Sequence, residues 1–273
     1  MSDAAPVTSP PRRFAGLLRA CVSGALLALL ATRVDWPQVA ESLGEVRLEL
    51  CGAAWLLYLA SQAASAVRWS RLARPLGFDQ TFAQFLGLYF VGSFFGLCLP
   101  GSIGGDVVKA LRLGRDTPTR ILAGGTVLAD RLAGLTALLV LAASGMIALR
   151  WRIAGPAVFA VGATCSAAAL GIILVMTRVG ARWQRTRRAT DLGRAKPWSK
   201  LAVYATRPDL LAQAFAWSLV VQGLNVATVF VLARALEIDV PLLALLVAVP
   251  LVALAATVPI TLQGIGVREG GLA

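Results

Sequence analysis

The sequence predicts an all-α, polytopic membrane protein with about six or seven membrane segments. Of its 273 residues, 58% are hydrophobic and 15% are charged, whereas an ordinary soluble domain carries about 25% charged residues. The apolar residues also form blocks of about 18–28 residues, the length at which a helix crosses the hydrocarbon core of a bilayer. Composition and block length together disfavour a soluble enzyme, a disordered chain and a fibrous protein.

The first predicted helix covers residues 14–32 and follows a polar, proline-rich tail at 1–13 that we expect to be flexible. Arg19 interrupts this apolar block and no clean cleavage site follows, so we expect an uncleaved helix rather than a signal peptide. Residues 33–50 form a net acidic loop. The remaining apolar blocks lie at about 51–69, 82–99, 121–149, 153–177, 210–233 and 242–258.

The net charge of +12 comes from 26 Lys and Arg residues against 14 Asp and Glu residues. Most of the cations lie between apolar blocks, and cytoplasmic loops of membrane proteins are enriched in Lys and Arg. We therefore place Arg12 and Arg13, the cluster at 68–74 and the basic loop at 178–208 in the cytoplasm. This pattern favours anionic membrane lipid over nucleic acid as the electrostatic partner.

This orientation requires an even number of crossings between the cations at 68–74 and those at 178–208. Three apolar blocks lie between them, so one must return without a net crossing. The break at Pro100–Gly105 is where the chain can turn. We therefore predict a re-entrant hairpin or a pair of half-helices over residues 82–115.

A short internal repeat at an offset of 160 residues supports a two-fold organisation. RPLGFDQTF (74–82) aligns with RALEIDVPL (234–242), and each copy leads through an apolar segment to a proline followed by glycine-rich, charged sequence. With the orientation above, the copies are inverted, a pattern typical of transporters with broken helices. We predict one transmembrane domain over 14–273, with repeat-like halves at about 51–149 and 210–273.

Three groups of residues could carry chemistry, because non-helical backbone and charge at membrane depth must be buried in protein or line a wet cavity. The first group is Pro100, Gly104, Gly105, Asp106, Lys109 and Arg112, whose structural alternative is an interfacial turn. The second is Asp130 with Arg131, which would be interfacial if the helix started near Leu128. The third is Gly264, Gly266, Arg268 and Glu269, whose alternative is a plain C-terminal tail.

The sequence offers no catalytic residues, cofactor site or metal site. It has no histidine, which removes imidazole bases and ligands, and its four cysteines lie in or beside separate apolar blocks. We expect those cysteines to be packing residues. Gln222 and Asn225 lie three apart on one helical face, where we favour hydrogen bonds to another helix over a polar path.

Three motifs in order, LPGSIGGDVVKALRL (99–113), VLADRLAGL (127–135) and PITLQGIGVREGG (259–271), resemble the lysylphosphatidylglycerol synthase transmembrane, or flippase-like, family. This family includes the membrane half of the bacterial multiple peptide resistance factor, which translocates aminoacylated phospholipid. The resemblance implies that Asp106, Lys109, Asp130, Arg131 and the pair Arg268–Glu269 line a lipid path. It also implies further helices after Ala273, so we expect a C-terminally truncated chain.

We therefore predict a bacterial inner-membrane protein, with a cytoplasmic N-terminus, that binds and translocates a phospholipid or lipid-linked substrate. Anionic phospholipid is the expected partner. Two alternatives stay open: the membrane part of a lipid-modifying transferase, and a non-catalytic membrane scaffold. The transferase domain of the full synthase is absent from the chain, so the resemblance does not carry lysyl transfer with it.

Overall fold

A computed structural model describes residues 46–98, 104–149 and 197–257, together with residues 32, 37, 44, 164, 167 and 171. Regular structure in the three continuous segments is entirely helical. The helices are α1 (Leu48–Ala73), α2 (Phe82–Cys98), α3 (Gly104–Leu113), α4 (Thr117–Leu149), α5 (Val203–Thr206), α6 (Pro208–Ala235) and α7 (Leu242–Thr257), with 3-10 turns at Arg74–Leu76 and Pro197–Ala202.

Three of these helices are long and apolar enough to cross a membrane: α1, α4 and α6. The shorter α2 and α7 are also strongly apolar. Large apolar side chains such as Trp55, Phe94 and Val220 stay exposed on the helix surfaces, as expected where lipid is the solvent. The predicted polytopic all-helical membrane fold is confirmed, and the predicted blocks within the described segments each correspond to an observed helix.

The predicted repeat recurs in the backbone at the same offset of 160 residues. Helix α1 begins at Leu48 and α6 at Pro208. Each is followed by a residue with positive φ, Gly77 at 92° and Glu237 at 59°. The second helices, α2 and α7, then begin at Phe82 and Leu242 respectively. We call α1–α2 the first repeat copy and α6–α7 the second.

The long helices of the two copies pack against each other in opposite directions. At one end, the Arg47 amide donates to the carbonyl of Ala235 at 3.2 Å. At the other, Arg71 donates to the Gln213 side chain at 2.9 Å and stacks over Trp217. The start of α1 therefore meets the end of α6, which is the relation that an inverted repeat requires.

Helices α2 and α3 form an antiparallel hairpin, as the crossing count predicted. Gly105 of α3 lies directly against Gly92 of α2, because a Cβ on Gly105 would overlap the Gly92 carbonyl oxygen. The end of α3 returns to the start of α2, where Leu113 and Gln84 line the same depression. The hairpin therefore brings the chain back to the end of the molecule at which it left α1.

Helix α7 packs antiparallel to the second half of α4. Gly145 permits this approach, since a Cβ there would come within 2.6 Å of the Val247 side chain. Pro250 lies inside α7 and has no amide hydrogen for the Leu246 carbonyl. That carbonyl oxygen is 3.5 Å from the Cβ position of Gly145, so Gly145 of α4 lies beside the point at which the hydrogen-bond ladder of α7 is interrupted.

Charge differs sharply between the two ends of the described bundle. Seven cations and three carboxylates lie at the end that carries the turn after α1, which we call the basic end: Arg71, Arg74, Arg112, Arg115, Arg120, Lys200 and Arg207, with Asp79, Asp116 and Asp209. Two cations and three carboxylates lie at the other, acidic end: Arg47 and Arg234, with Glu49, Glu237 and Asp239. Cations that cluster between the apolar blocks of the sequence therefore lie at one end of the described bundle.

Several predicted features lie outside the described residues. These are the tail at 1–13, the spans at 14–32 and 153–177 apart from isolated positions, most of the basic loop at 178–208, and Pro100, Gly264, Gly266, Arg268 and Glu269. The first broken-helix element is therefore described on both sides of the break, whereas the second remains a prediction.

Candidate functional site

A buried ion pair joins the two repeat copies to α4. Arg68 donates from Nε to Asp130 Oδ1 at 2.7 Å and from Nη2 to Oδ2 at 3.1 Å. Its third nitrogen, Nη1, donates to the Ser218 hydroxyl of α6 at 2.9 Å. Arg68 and Asp130 are each 5% exposed. This two-point geometry suits a guanidinium and a carboxylate far from water, where one charge alone would be costly.

Residues of α1, α2 and α4 pack around Arg68 and fix its position. Gly134 of α4 faces the guanidinium, and a Cβ there would lie 3.3 Å from Nη1. The next residue of α1, Trp69, is 1% exposed and donates from its indole nitrogen to the Thr126 hydroxyl of α4 at 3.0 Å. Trp69 also packs edge-to-face on Phe85 of α2. The register of α1 against α4 is therefore held by the ion pair and by the neighbouring hydrogen bond from Trp69 to Thr126.

A second group of charges joins α3 to α4. Asp106 forms a salt bridge with Arg131 of α4, and its carboxylate is 3.8 Å from the Lys109 ammonium one turn along α3. The ammonium lies 3.8 Å from the ring centre of Tyr89, a distance at which a cation is attracted to the aromatic face. The α2–α3 hairpin thus presents its charges to α4, next to the first ion pair.

The two groups together form what we call the central charge cluster: Arg68, Asp106, Lys109, Asp130 and Arg131. The Tyr89 hydroxyl donates to Asp130 Oδ2 at 3.5 Å, and the face of its ring contacts the Lys109 ammonium. Among the described residues, the cluster holds three cations and two carboxylates, which is an excess of one positive charge. Four of its members are largely buried, whereas the Arg131 side chain is 43% exposed.

The structure thus brings together four of the residues singled out in the sequence: Asp106, Lys109, Asp130 and Arg131. Gly104 begins α3 and Gly105 provides its contact with α2. Arg112 is different, because it lies at the basic end of α3, beside a groove and away from the cluster.

One alternative drawn from the sequence was wrong. The helix does not start near Leu128, since α4 begins at Thr117 and places Asp130 about 20 Å along its axis. The hydrogen-bonded partner of Asp130 is Arg68 of α1.

Sequence reasoning missed Arg68, which it grouped with Arg71 as a cytoplasmic cation. One signal was available: a carboxylate deep in an apolar helix needs a cation, and Arg68 falls within an apolar stretch. Gln222 and Asn225 do share a face, but their hydrogen bond, at 3.3 Å, lies within α6 rather than between helices. No group of three or more potential metal ligands occurs among the described residues.

These features define a polytopic helical membrane protein with a charge cluster buried among its helices. The family model for the lysylphosphatidylglycerol synthase TM region matches residues 16–273. The chain therefore belongs to that family, and the resemblance inferred from its three motifs is confirmed. No curated protein and no solved structure was found to match the chain.

Proposed function

We propose that this protein binds the anionic headgroup of a phospholipid or lipid-linked substrate at the central charge cluster and moves it across the membrane. The observation that carries the proposal is the excess of cations in a buried cluster. Charge inside a membrane is costly and is retained where it pairs or serves a pathway. A purely structural cluster would be expected to balance, and an anionic ligand would balance this one.

Within the cluster, the two ion pairs have different roles. Arg68 makes three hydrogen bonds to Asp130 and Ser218, so its charge is already matched and its role is to hold the helices. Lys109 and Arg131 both contact the Asp106 carboxylate, and Arg131 is the partly exposed member of the cluster. We therefore assign the phosphate to these two cations.

The exposed part of Arg131 gives the ligand a route to the cluster. With 43% of its side chain exposed, Arg131 reaches the surface of the described helices while its charged end contacts Asp106. A headgroup would meet Arg131 first and Lys109 next, and its acyl chains would stay in the surrounding lipid. The hairpin of α2 and α3 borders this route and is the element that would move.

We assign the basic end of the bundle to the cytoplasm of a bacterial inner membrane. Seven cations against three carboxylates at that end match the enrichment of Lys and Arg in cytoplasmic loops. Anionic lipids would also concentrate at such a surface. The N-terminal tail, with Arg12 and Arg13, is proposed to face the same side.

The experiment is a translocation assay with the full chain in vesicles that contain a fluorescent anionic phospholipid. The fraction of label accessible to an external quencher is followed over time. Lys109→Met keeps an aliphatic side chain against Gly92 of α2 but removes the charge, and we expect translocation to slow at least about tenfold. Asp106→Asn should also slow it, because Arg131 and Lys109 lose their shared anchor.

Lys200→Met is the matched control, since it removes a lysine from an exposed position at the basic end. This variant should translocate like the parent chain. Circular dichroism and thermal melting establish that each variant is folded. Equal translocation by the parent chain, the Lys109 variant and the Lys200 variant would rule out the cluster as the headgroup site.

A further inference from the structure

A groove separates the start of α2 from the end of α3 at the basic end of the molecule. It consists of two adjoining depressions of about 500 and 440 Å³. Gln80, Gln84, Leu113 and Arg115 line both of them. None of these residues belongs to the central charge cluster, so the groove is a separate feature of the surface.

One end of the groove is polar and has hydrogen-bonding capacity to spare. Arg112 and Arg115 border the groove, and the carboxylates of Asp79 and Asp116 line the depression on the Arg115 side. Among the described residues, none of the salt bridges involves Arg112 or Arg115. The Gln80 Oε1 atom is buried and also has no partner there. Guanidinium groups match the geometry of phosphate, and an unused buried acceptor suits a ligand with a hydroxyl or ammonium donor.

The other end of the groove is apolar. Gly87, Leu88 and Val91 of α2 line it, and the Cβ position of Gly87 faces open space. From Gln84 to Val91 the helix rises about 10 Å. The lining of the groove therefore changes from polar to apolar over a distance that matches the glycerol backbone and the first part of an acyl chain of a phospholipid. A free phosphate would use only the polar half, whereas a phospholipid matches both.

We infer that this groove is a second lipid site, which binds the phosphate of an anionic phospholipid between Arg112 and Arg115. A headgroup hydroxyl would donate to Gln80, and one acyl chain would lie along Gly87 and Val91. The role that we assign to this groove is to deliver the phospholipid to the central charge cluster, and this role alone rests on the proposed function. Arg112 lies about 4.5 Å along α3 from Lys109, one turn away.

The test is lipid binding to the purified full chain in detergent micelles, followed by native mass spectrometry. The probe is a short-chain phosphatidylglycerol. Replacing both groove arginines, Arg112→Gln with Arg115→Gln, should weaken its binding about tenfold or more, because two charge-assisted contacts to the phosphate are lost. The matched control replaces two exposed arginines of the same end that do not line the groove, Arg74→Gln with Arg120→Gln, and should change binding less than twofold.

A second variant separates lipid from free phosphate. Gly87→Leu fills the apolar half of the groove from a position with open space, so folding should be retained. Phosphatidylglycerol should then bind at least about fivefold more weakly, while any binding of glycerol 3-phosphate stays the same. Glycerol 3-phosphate that binds the parent chain as tightly as the lipid would overturn the lipid assignment.

Equal weakening by the two arginine pairs would overturn the site itself, because it would mean a general charge effect. The outcome is independent of translocation. The groove arginine pair should weaken phosphatidylglycerol binding by the same factor in the parent chain and in a Lys109→Met background, because Lys109 does not line the groove. If the Lys109→Met variant translocates normally while the groove arginines still control binding, the proposed function fails and the groove site stands.

Discussion

At corresponding positions of the two repeat copies, the same helix geometry holds different side chains. Arg68 of α1 is buried against Asp130, whereas the position 160 residues later is Thr228 of α6. The Thr228 hydroxyl donates to the Leu224 carbonyl of its own helix at 2.8 Å, so it needs nothing from a neighbour. Repetition of the backbone therefore sets where helices lie, and the individual residues decide which copy carries the charge.

The glycine pair of the α2–α3 hairpin has no counterpart at the same offset in the sequence. Gly92 of α2 and Gly105 of α3 allow the two backbones to touch. The positions 160 residues later are Val252 and Ile265.

The largest expected effect comes from the charged position of the first copy. Arg68→Met should lower the free energy of unfolding by about 3–5 kcal/mol, because Asp130 would remain buried without its cation. Thr228→Val, at the equivalent position, should cost less than about 1 kcal/mol. Unfolding by SDS titration in mixed micelles measures both. If adding Asp130→Leu to the Arg68 variant recovers none of the loss, the pair is not the cause.

The glycine contact of the hairpin gives the next effect. Gly105→Ala should destabilise the protein by about 1–3 kcal/mol, since its methyl group overlaps the Gly92 carbonyl oxygen and forces α2 and α3 apart. Gly87→Ala in the same hairpin is the control, because its Cβ faces open space. The same SDS titration compares them. A Gly105 variant as stable as the Gly87 variant would show that the helices are not in backbone contact.

The two left-handed turns offer a smaller and opposite pair of changes. Gly77→Ala should destabilise the first copy by about 1 kcal/mol, because its φ of 92° disfavours any Cβ. Glu237→Gly should stabilise the second copy by up to about 1 kcal/mol, since glycine removes that cost. Thermal melting in micelles gives the sign of each change. Shifts in the same direction would contradict the equivalence of the two turns.

The smallest effect concerns the start of the second helix in each copy. The Thr81 amide donates to the Gln84 side chain at 2.9 Å, and the Gln84 amide faces the Thr81 hydroxyl at 3.4 Å, which caps α2. Thr81→Ala should cost about 0.5–1 kcal/mol. Pro241 occupies the equivalent position before α7 and has no such side chain, so Pro241→Ala should cost less. Hydrogen exchange of the first turns of α2 and α7 measures the difference.

Much of the fold could be predicted because lipid imposes a strict length and polarity on each helix. Helix α2 was expected at 82–99 and lies at Phe82–Cys98, and the return after it followed from the count of crossings alone. The match of RPLGFDQTF with RALEIDVPL, together with the same order of features after each segment, indicated the repeat. These features depend on the local sequence and on the charges at the helix ends, so they can be predicted without knowing which helices contact each other.

The site was predictable only in part. Asp106 and Asp130 could be predicted as site residues, because a charge within a membrane segment must be compensated. The residue that compensates each charge could not be predicted, since it can come from any helix. Arg68 is 62 residues from Asp130, and Ser218 is 150 residues from Arg68. The groove beside Arg112 was likewise invisible, because it exists only where α3 returns to the start of α2.

By itself, the sequence determined that this chain is a helical membrane protein and where the spans of the described segments lie, and it predicted that its halves repeat. The tertiary structure alone decided that Arg68 pairs with Asp130 and that Arg131 and Lys109 both contact Asp106. The physical reason is that the free energy of transferring a segment into lipid depends on that segment's own residues. The pairing of buried charges instead depends on which helices pack against each other.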